Sequence, residues 1–464
     1  MLDSFSYRDL VRLRKAQIAN FYADEGSHVF PTATALAFIC LPVLGLLVPG
    51  ARRLRLILFT ITLYLGVIIT RDMRSIHVGN GFMVGLFTSS WILHVAVHTL
   101  LSSVEKDFRR LEYRRPADHR RDHPLDVRQI MHWQQYPEAV FHRLNWAVGL
   151  LFSWRGVEWN WRIDTLKELP AQLQASLLHP PRHQTRKPLT NDHGLLPLLF
   201  SALNSYAMLS LVVFLMKDDP YFWGLLQVRP LPDSPLHVFS QWPLLLRMSR
   251  MMLCFAHLKY HLTLEQVVGE SFLFIVALAA PVKALTLLPV SFGTPWLFTP
   301  LFGSPGVVMD SGLASFWSSF WHQFYRFDVV TFSTTVLSLF PARVRQHCVA
   351  RRAIRMLLSF FLVGVIHACA SYTQPVPTRP IQGVLFFFLL QPLGIIIQIV
   401  LIAALPPWVR KSRIGGAANM VYVFLWFLLT SPLVFDDYST GGLWLSDVFN
   451  FPSLCAACYI QGDQ

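Results

Sequence analysis

Charge is scarce in this chain. Only 14% of its 464 residues are Asp, Glu, Lys or Arg, against roughly 25% in a soluble domain, and that shortage excludes a water-soluble globule. Other absences narrow the field further. There is no Asn-x-Ser/Thr sequon to support a glycosylated exposed region. No histidine is followed four or five residues later by aspartate, and no Gly-x-Ser-x-Gly elbow occurs, so soluble frameworks built on those motifs are excluded. Cysteine is sparse: the six residues Cys40, Cys254, Cys348, Cys369, Cys455 and Cys458 are scattered. The last two form a lone CxxC without a second pair, so zinc is not expected and a disulfide stays open. No internal repeat or low-complexity tract appears, and residues 1–464 read as one domain. The charged residues Asp3, Arg8, Asp9, Arg12 and Arg14 leave no signal-peptide layout, so targeting is expected to rest on the first apolar span.

What the chain has instead is apolar length. Hydrophobic residues make up 53% of it, with a mean hydropathy of +0.42. Windows approaching the roughly 20 apolar residues that cross a bilayer fall near 31–49, 54–70, 81–101, 194–216, 266–290, 356–372, 381–405 and 418–435. A weaker window near 243–256 is interrupted by Arg247 and Arg250. The expected fold is therefore all-α: a polytopic integral membrane protein of about eight or nine transmembrane helices around an intramembrane chamber.

The net charge of +13 does not point to nucleic acid. Lys and Arg cluster between spans, in Arg52-Arg53-Leu54-Arg55, Arg109-Arg110, Arg114-Arg115, Arg120-Arg121, Arg343 to Arg355 and Arg410-Lys411-Ser412-Arg413. Basic loops mark the cytosolic side and attract anionic head groups. Residues 1–30 read as an amphipathic lead-in lying on the membrane, and 102–193 as a polar cytosolic segment between spans. If 102–193 and 341–355 are both cytosolic, then 291–340 must return across the bilayer or fold back within it. Irregular backbone at that depth is tolerated only where protein buries it or a cavity lies beside it.

Two histidines stand out. His367 lies inside the apolar run Leu357 to Ala370, and His322 lies 45 residues earlier in Phe316-Trp317-Ser318-Ser319-Phe320-Trp321-His322-Gln323-Phe324-Tyr325-Arg326. Ionisable groups at membrane depth are costly unless they have a partner or a task. On a helix, Trp317, Phe320, Trp321 and Phe324 would form one aromatic stripe, with His322 one turn before Arg326. An interfacial aromatic belt is the structural reading of the same residues. A pair facing one cavity would suit proton transfer on a lipophilic substrate, because a neutral imidazole accepts a proton near neutral pH.

The order Pro300-Leu301-Phe302-Gly303, then Ser315-x-x-Ser318-x-x-Trp321-His322-Gln323, then Gly364-x-x-His367 resembles the wax-synthase branch of the membrane-bound O-acyltransferases. Lys106 to Arg110, Arg155 to Trp161 and Leu389 to Gly394 extend the resemblance over roughly 30–440, closest to fungal members that decorate secondary metabolites. The resemblance implies acyl transfer, with acetyl the expected group, from acyl-CoA to a hydroxyl of a terpenoid or polyketide acceptor, in the endoplasmic reticulum membrane. It implies His367 as general base and His322 as its partner in the site. Trp317, Trp321, Gln323, Arg326 and Gly364 are the expected substrate-binding residues. Acyl-CoA is then a co-substrate, and neither cofactor nor metal is expected. Two positions depart from the family pattern: Val363 stands where Ser is usual, and Ser318 where Gly is common. They bear on substrate shape, since neither removes a titratable group.

Rival readings were weighed on the same residues. His94/His98, His119/His123 and His257/His261 are HxxxH pairs with metal-ligand spacing on a helix. They open a membrane di-iron hydroxylase or desaturase reading, but the adjacent His-His of such boxes is absent. For His94 and His98 a polar contact between helices is the expectation. A prenyltransferase-like cyclase needs aspartate-rich sets that Asp218-Asp219 and Asp436-Asp437 do not complete. A multi-pass transporter would be expected to show repeats in matching halves.

Overall fold

The computed structural model describes residues 32–74, 79–114, 130–166, 171–178, 195–279, 299–410 and 412–445, with a few isolated positions besides. The expected lead-in over 1–30, the His119/His123 pair, Arg120-Arg121 and the CxxC cysteines lie outside the described residues, apart from Ala16.

Among the described residues the chain is helical, with one two-stranded hairpin. The apolar helices are α1 (Thr32–Leu47), α2 (Arg52–Asp72) and α3 (Phe82–Ala96), the last extended by a π turn over Val97–Leu101. The polar segment holds β1 (Arg110–Arg114), β2 (Ile130–Gln134) and α4 (Val140–Leu151). Then come α5 (Leu195–Met216), α6 (Pro243–Ala279), α7 (Arg326–Ser338), α8 (Cys348–Tyr372), α9 (Phe386–Ala403), α10 (Arg413–Thr430) and α11 (Pro432–Gly441). Among the described residues seven helices are long and apolar enough to cross a membrane, and α1 is a shorter apolar one. Their outward faces expose large apolar side chains, such as Leu196, Phe200 and Leu203 on α5 and Ile399 and Val400 on α9. Water would penalise such surface, whereas lipid accepts it.

The window near 243–256 and the described part of that near 266–290, to Ala279, are not separate elements: they form α6, one helix of 37 residues. Arg250 interrupts the hydropathy but not the helix, because its guanidinium is neutralised by Asp219, at 2.7 and 2.8 Å, and lies over the ring of Tyr221. A paired charge can be carried at the membrane edge where a bare one cannot.

Contacts between loops divide the molecule into two ends. At one end Arg55 pairs with Glu105, Arg143 donates to the carbonyl of Leu47, Arg155 reaches Thr299 and Pro300, and Asn419 donates to Met309. At the other, Asn80 donates to Gly442, Thr373 to Gly81 and Tyr221 to Asp436. The first end carries the basic loops. The polar segment there is self-bracing: Arg110 pairs with Glu158 at 3.0 Å, and Asn160 donates its amide to the Arg109 carbonyl at 2.9 Å.

Between α6 and α8 the chain does not cross cleanly. Residues 307–320 form short helical pieces, Trp321 is extended, and α7 has only 13 residues. That is about 20 Å of helix, too little for a hydrocarbon core of about 30 Å. Both flanks of this stretch, at 299–310 and at the start of α8, lie at the basic end. The stretch is a re-entrant loop. Its interrupted backbone is satisfied by side chains from neighbouring helices, as membrane burial requires. Gln398 accepts from the Leu313 amide and donates to Asn419, which donates to Met309, each at 2.8 Å. Gly312 permits this: its φ of +58° suits glycine, and a Cβ there would fall 1.8 Å from Gln398 Nε2.

Candidate functional site

The re-entrant loop, α3, α6, α8, α9 and α11 enclose a cavity of about 440 Å³, within the range that binds small molecules. It reaches from Trp154 and Gln266 near the basic end to Gly79 and Leu443 near the other. Its walls are aromatic: Trp317, Trp321, Phe387, Phe388 and Phe435 all contribute. His322 and His367 both line it. Tyr325 stands between them, its ring centroid 6.4 Å from that of His322 and 6.3 Å from that of His367.

His367 is positioned by α8 and by its own backbone. Its Nδ1 is 2.9 Å from the Val363 carbonyl. A carbonyl only accepts, so Nδ1 carries the proton and Nε2 of the neutral ring holds the free lone pair. The bond uses the main chain of Val363, so the departure from Ser at that position leaves it intact. Phe388 packs against the ring with centroids 4.7 Å apart. Gly364, one turn earlier, faces α9 and not the cavity: a Cβ there would fall 2.8 Å from Leu385 and 3.1 Å from Phe388. Its role is close packing of α8 on α9, which seats His367.

His322 follows the point where the helix stops. The π turn ends at Phe320, and Trp321 has φ −71° and ψ 150°. The expected continuous stripe from Trp317 to Phe324 is therefore not a helix face. The extended step lets both Trp321 and His322 reach the cavity, and Nδ1 of His322 is buried without a hydrogen-bond partner. Gln323 and Arg326, expected at the substrate, are directed to the loop. Gln323 Nε2 donates to the carbonyls of Trp317 (2.8 Å) and Trp321 (2.6 Å). Arg326 donates to Ser318 (2.6 Å) and to Gln323 Oε1 (3.2 Å). Carbonyls released by the broken helix need donors, and these two residues supply them. Trp317 is steadied by Gln391, which accepts from Trp317 Nε1 at 3.2 Å and from Trp426 Nε1 at 3.1 Å.

Several lining residues were not singled out for this site from sequence: Ser90, Trp154, Tyr325, His257, His261, Glu265 and Gln266. His257 and His261 entered the sequence reading only as a metal-type pair. Among the described residues, the one group able to hold a metal ion is His94, His98 and Asp328. There His94 Nδ1 is 2.8 Å from Asp328 Oδ2, and His98 Nδ1 is 2.9 Å from the His94 carbonyl. The first is a hydrogen bond between α3 and α7, the helix contact expected for this pair; the second lies within α3 and its π turn. The group lies behind the chamber wall, where the ring of Trp154 is 4.6 Å from His94.

At the basic end Arg155 fastens the polar segment to the loop. Its guanidinium donates to Thr299 (3.0 Å) and Pro300 (3.1 Å). Burial lowers its pKa to about 10, which leaves it protonated at neutral pH.

Residues 298–390 match the family model described as "Membrane bound O-acyl transferase family". That stretch contains both His322 and His367. Three curated proteins are similar over part of the chain. Acetyltransferase TRI7 of Fusarium sporotrichioides is 27% identical over 34% of this chain and 38% of its own length. Acetyltransferase ataH of Aspergillus terreus is 30% identical over 25% and 38%, and acetyltransferase aurG of Calcarisporium arbuscula 31% over 33% and 37%. The chain thus spans less than two-fifths of the length of these relatives. No solved structure matches.

Proposed function

We propose that this membrane protein is an acyltransferase that moves an acyl group, acetyl in the first place, from acyl-CoA to a hydroxyl of a lipophilic acceptor. One observation carries the reading: two histidines 45 residues apart in sequence, on separate elements, line one chamber inside the segment that matches the acyltransferase family. The names of the three fungal relatives support acetyl as the donor group. The acceptor class we propose, a terpenoid or polyketide, follows from the resemblance of the sequence motifs to fungal members that decorate secondary metabolites.

The chemistry follows from the groups present. Nε2 of His367 takes the proton of the acceptor hydroxyl as its oxygen attacks the thioester carbonyl carbon. The tetrahedral intermediate carries its charge on the former carbonyl oxygen, where His322 stands as hydrogen-bond donor. Collapse expels the CoA thiolate, which recovers the proton from His367. No cofactor takes part, and acyl-CoA is consumed as co-substrate. The apolar walls exclude water, which would otherwise hydrolyse the thioester. CoA reaches the chamber from the basic, cytosolic end, where arginines suit its phosphates; the acceptor arrives from the lipid. The endoplasmic reticulum membrane is the proposed location.

The di-iron alternative finds little support. The matching family model is of O-acyltransferases and the three relatives are named acetyltransferases. The test is incubation of microsomes containing the protein with labelled acetyl-CoA and longer acyl-CoAs over a panel of hydrophobic alcohols. Label in an ester product is the expected result. Absence of transfer to every alcohol, with iron in the purified protein, would overturn the reading.

A further inference from the structure

Apart from the His322/His367 pair, Ser90, Tyr325 and Tyr438, the polar side chains of the chamber wall lie along α6. There His257, His261 and Glu265 recur every fourth residue, so they stand above one another on the cavity side over about 12 Å of helix. The two imidazoles stack with centroids 5.5 Å apart and planes 17° from parallel. His261 Nε2 lies 3.2 Å from Glu265 Oε1. His257 Nδ1 is buried without a hydrogen-bond partner. Gln266, next on the same wall, donates its Nε2 to Glu270 (2.6 Å) and Thr299 (2.9 Å), while its Oε1 is buried and unpartnered. The acyl-transfer step uses none of these groups.

Unpaired buried polar atoms cost free energy, and ionisable residues in a membrane span mark a pathway or a site. A simple long-chain alcohol, once acylated at the histidine pair, would offer no hydrogen bond to His257 Nδ1 or Gln266 Oε1. The stripe is rich in acceptors: a glutamate carboxylate, an amide oxygen and a ring nitrogen. Its complement is an O–H donor.

We infer that His257, His261, Glu265 and Gln266 form a second, polar subsite that binds an additional hydroxyl of the acceptor. The acceptor is then a lipophilic diol or polyol, not a fatty alcohol. The identification of the occupant as the acceptor rests on the proposed acyl transfer; the binding itself does not.

Equilibrium dialysis of the purified full chain in detergent tests this without turnover. The probes are three labelled compounds on one terpenoid skeleton: a diol, the mono-alcohol lacking the second hydroxyl, and the analogue with a ketone in its place. Wild type should bind the diol about tenfold tighter than either comparator. His257→Leu and Glu265→Gln should each shrink that ratio, and the double variant should bring it close to one while keeping a monodisperse size-exclusion profile. If the double variant does not fold, the single variants and Gln266→Leu report the same ratio. Equal binding of all three probes by wild type, a ketone that binds as well as the diol, or a ratio that survives these substitutions would overturn the subsite. Transfer assays on the same compounds read the other question separately. Diol preference without ester formation would uphold the subsite and overturn acyl transfer.

Discussion

His94 and His98 stand on α3, wholly buried, with Asp328 of α7 bonded to one and the helix backbone bonded to the other. His322 and His367 face a cavity, and no carboxylate is hydrogen-bonded to either among the described residues. All four are imidazoles among aromatic rings at membrane depth. The difference lies in what occupies their nitrogens. In the first pair the protein answers Nδ1 of both rings, through Asp328 and the His94 carbonyl, and buries both Nε2 atoms without a partner; the Asp328 bond fastens α3 to α7. In the second it answers only Nδ1 of His367, and room is left for a molecule from outside. The pairs differ in spacing, four residues against 45, and in surroundings: the first is bonded to Asp328 across two helices, the second lines a cavity.

That contrast can be broken by substitution, with activity per folded molecule as the measure. The largest loss is expected for His367→Ala: removing a general base costs about 10²–10⁴-fold in rate, with acyl-CoA binding and the size-exclusion profile retained. A fully active variant would end the assignment. His322→Ala should follow, with a loss of about 10²-fold from removal of an oxyanion donor. His322→Asn should recover part of it, since an amide still donates; equal damage from both would argue against a hydrogen-bonding role. Gln398→Ala strands the Leu313 amide, at a cost of about 1–3 kcal/mol. Thermal unfolding should therefore move down, and transfer should slow as the loop bearing His322 loosens. The smallest effect per folded molecule is expected for Asp328→Ala. Breaking a buried pair costs about 3–5 kcal/mol of stability, so yield should fall sharply while the surviving folded protein stays near wild-type rate. If its rate fell like that of His367→Ala, the clamp would belong to the reaction and the comparison would collapse.

Much of the architecture was legible because a bilayer demands long apolar runs. α2, α3, α5, α8 and α9 lie close to their hydropathy windows. The merger of two windows into α6 was not, because the partner that neutralises Arg250 is Asp219, 31 residues earlier and in a separate loop. The re-entrant loop was legible as a parity problem, but its course was not. Helical spacing from Trp317 to Arg326 assumed a regular backbone, whereas the chain turns extended at Trp321. For that reason nearness in sequence did not place Gln323 and Arg326, which bond carbonyls of the loop and are not among the residues lining the cavity. The HxxxH spacing placed His94/His98 and His257/His261 in one class. Only the fold reveals that Asp328 meets the first pair and the cavity meets the second.

Arg155 holds the carbonyls of Thr299 and Pro300 at the basic end, and its neighbour Trp154 forms part of the chamber wall. The proposed reaction therefore has a handle in the polar segment, away from the apolar helices. An antibody fragment or macrocycle that grips residues 130–166 and displaces Arg155 would slacken the loop carrying His322. Inhibition by that route needs no compound greasy enough to compete with the acceptor.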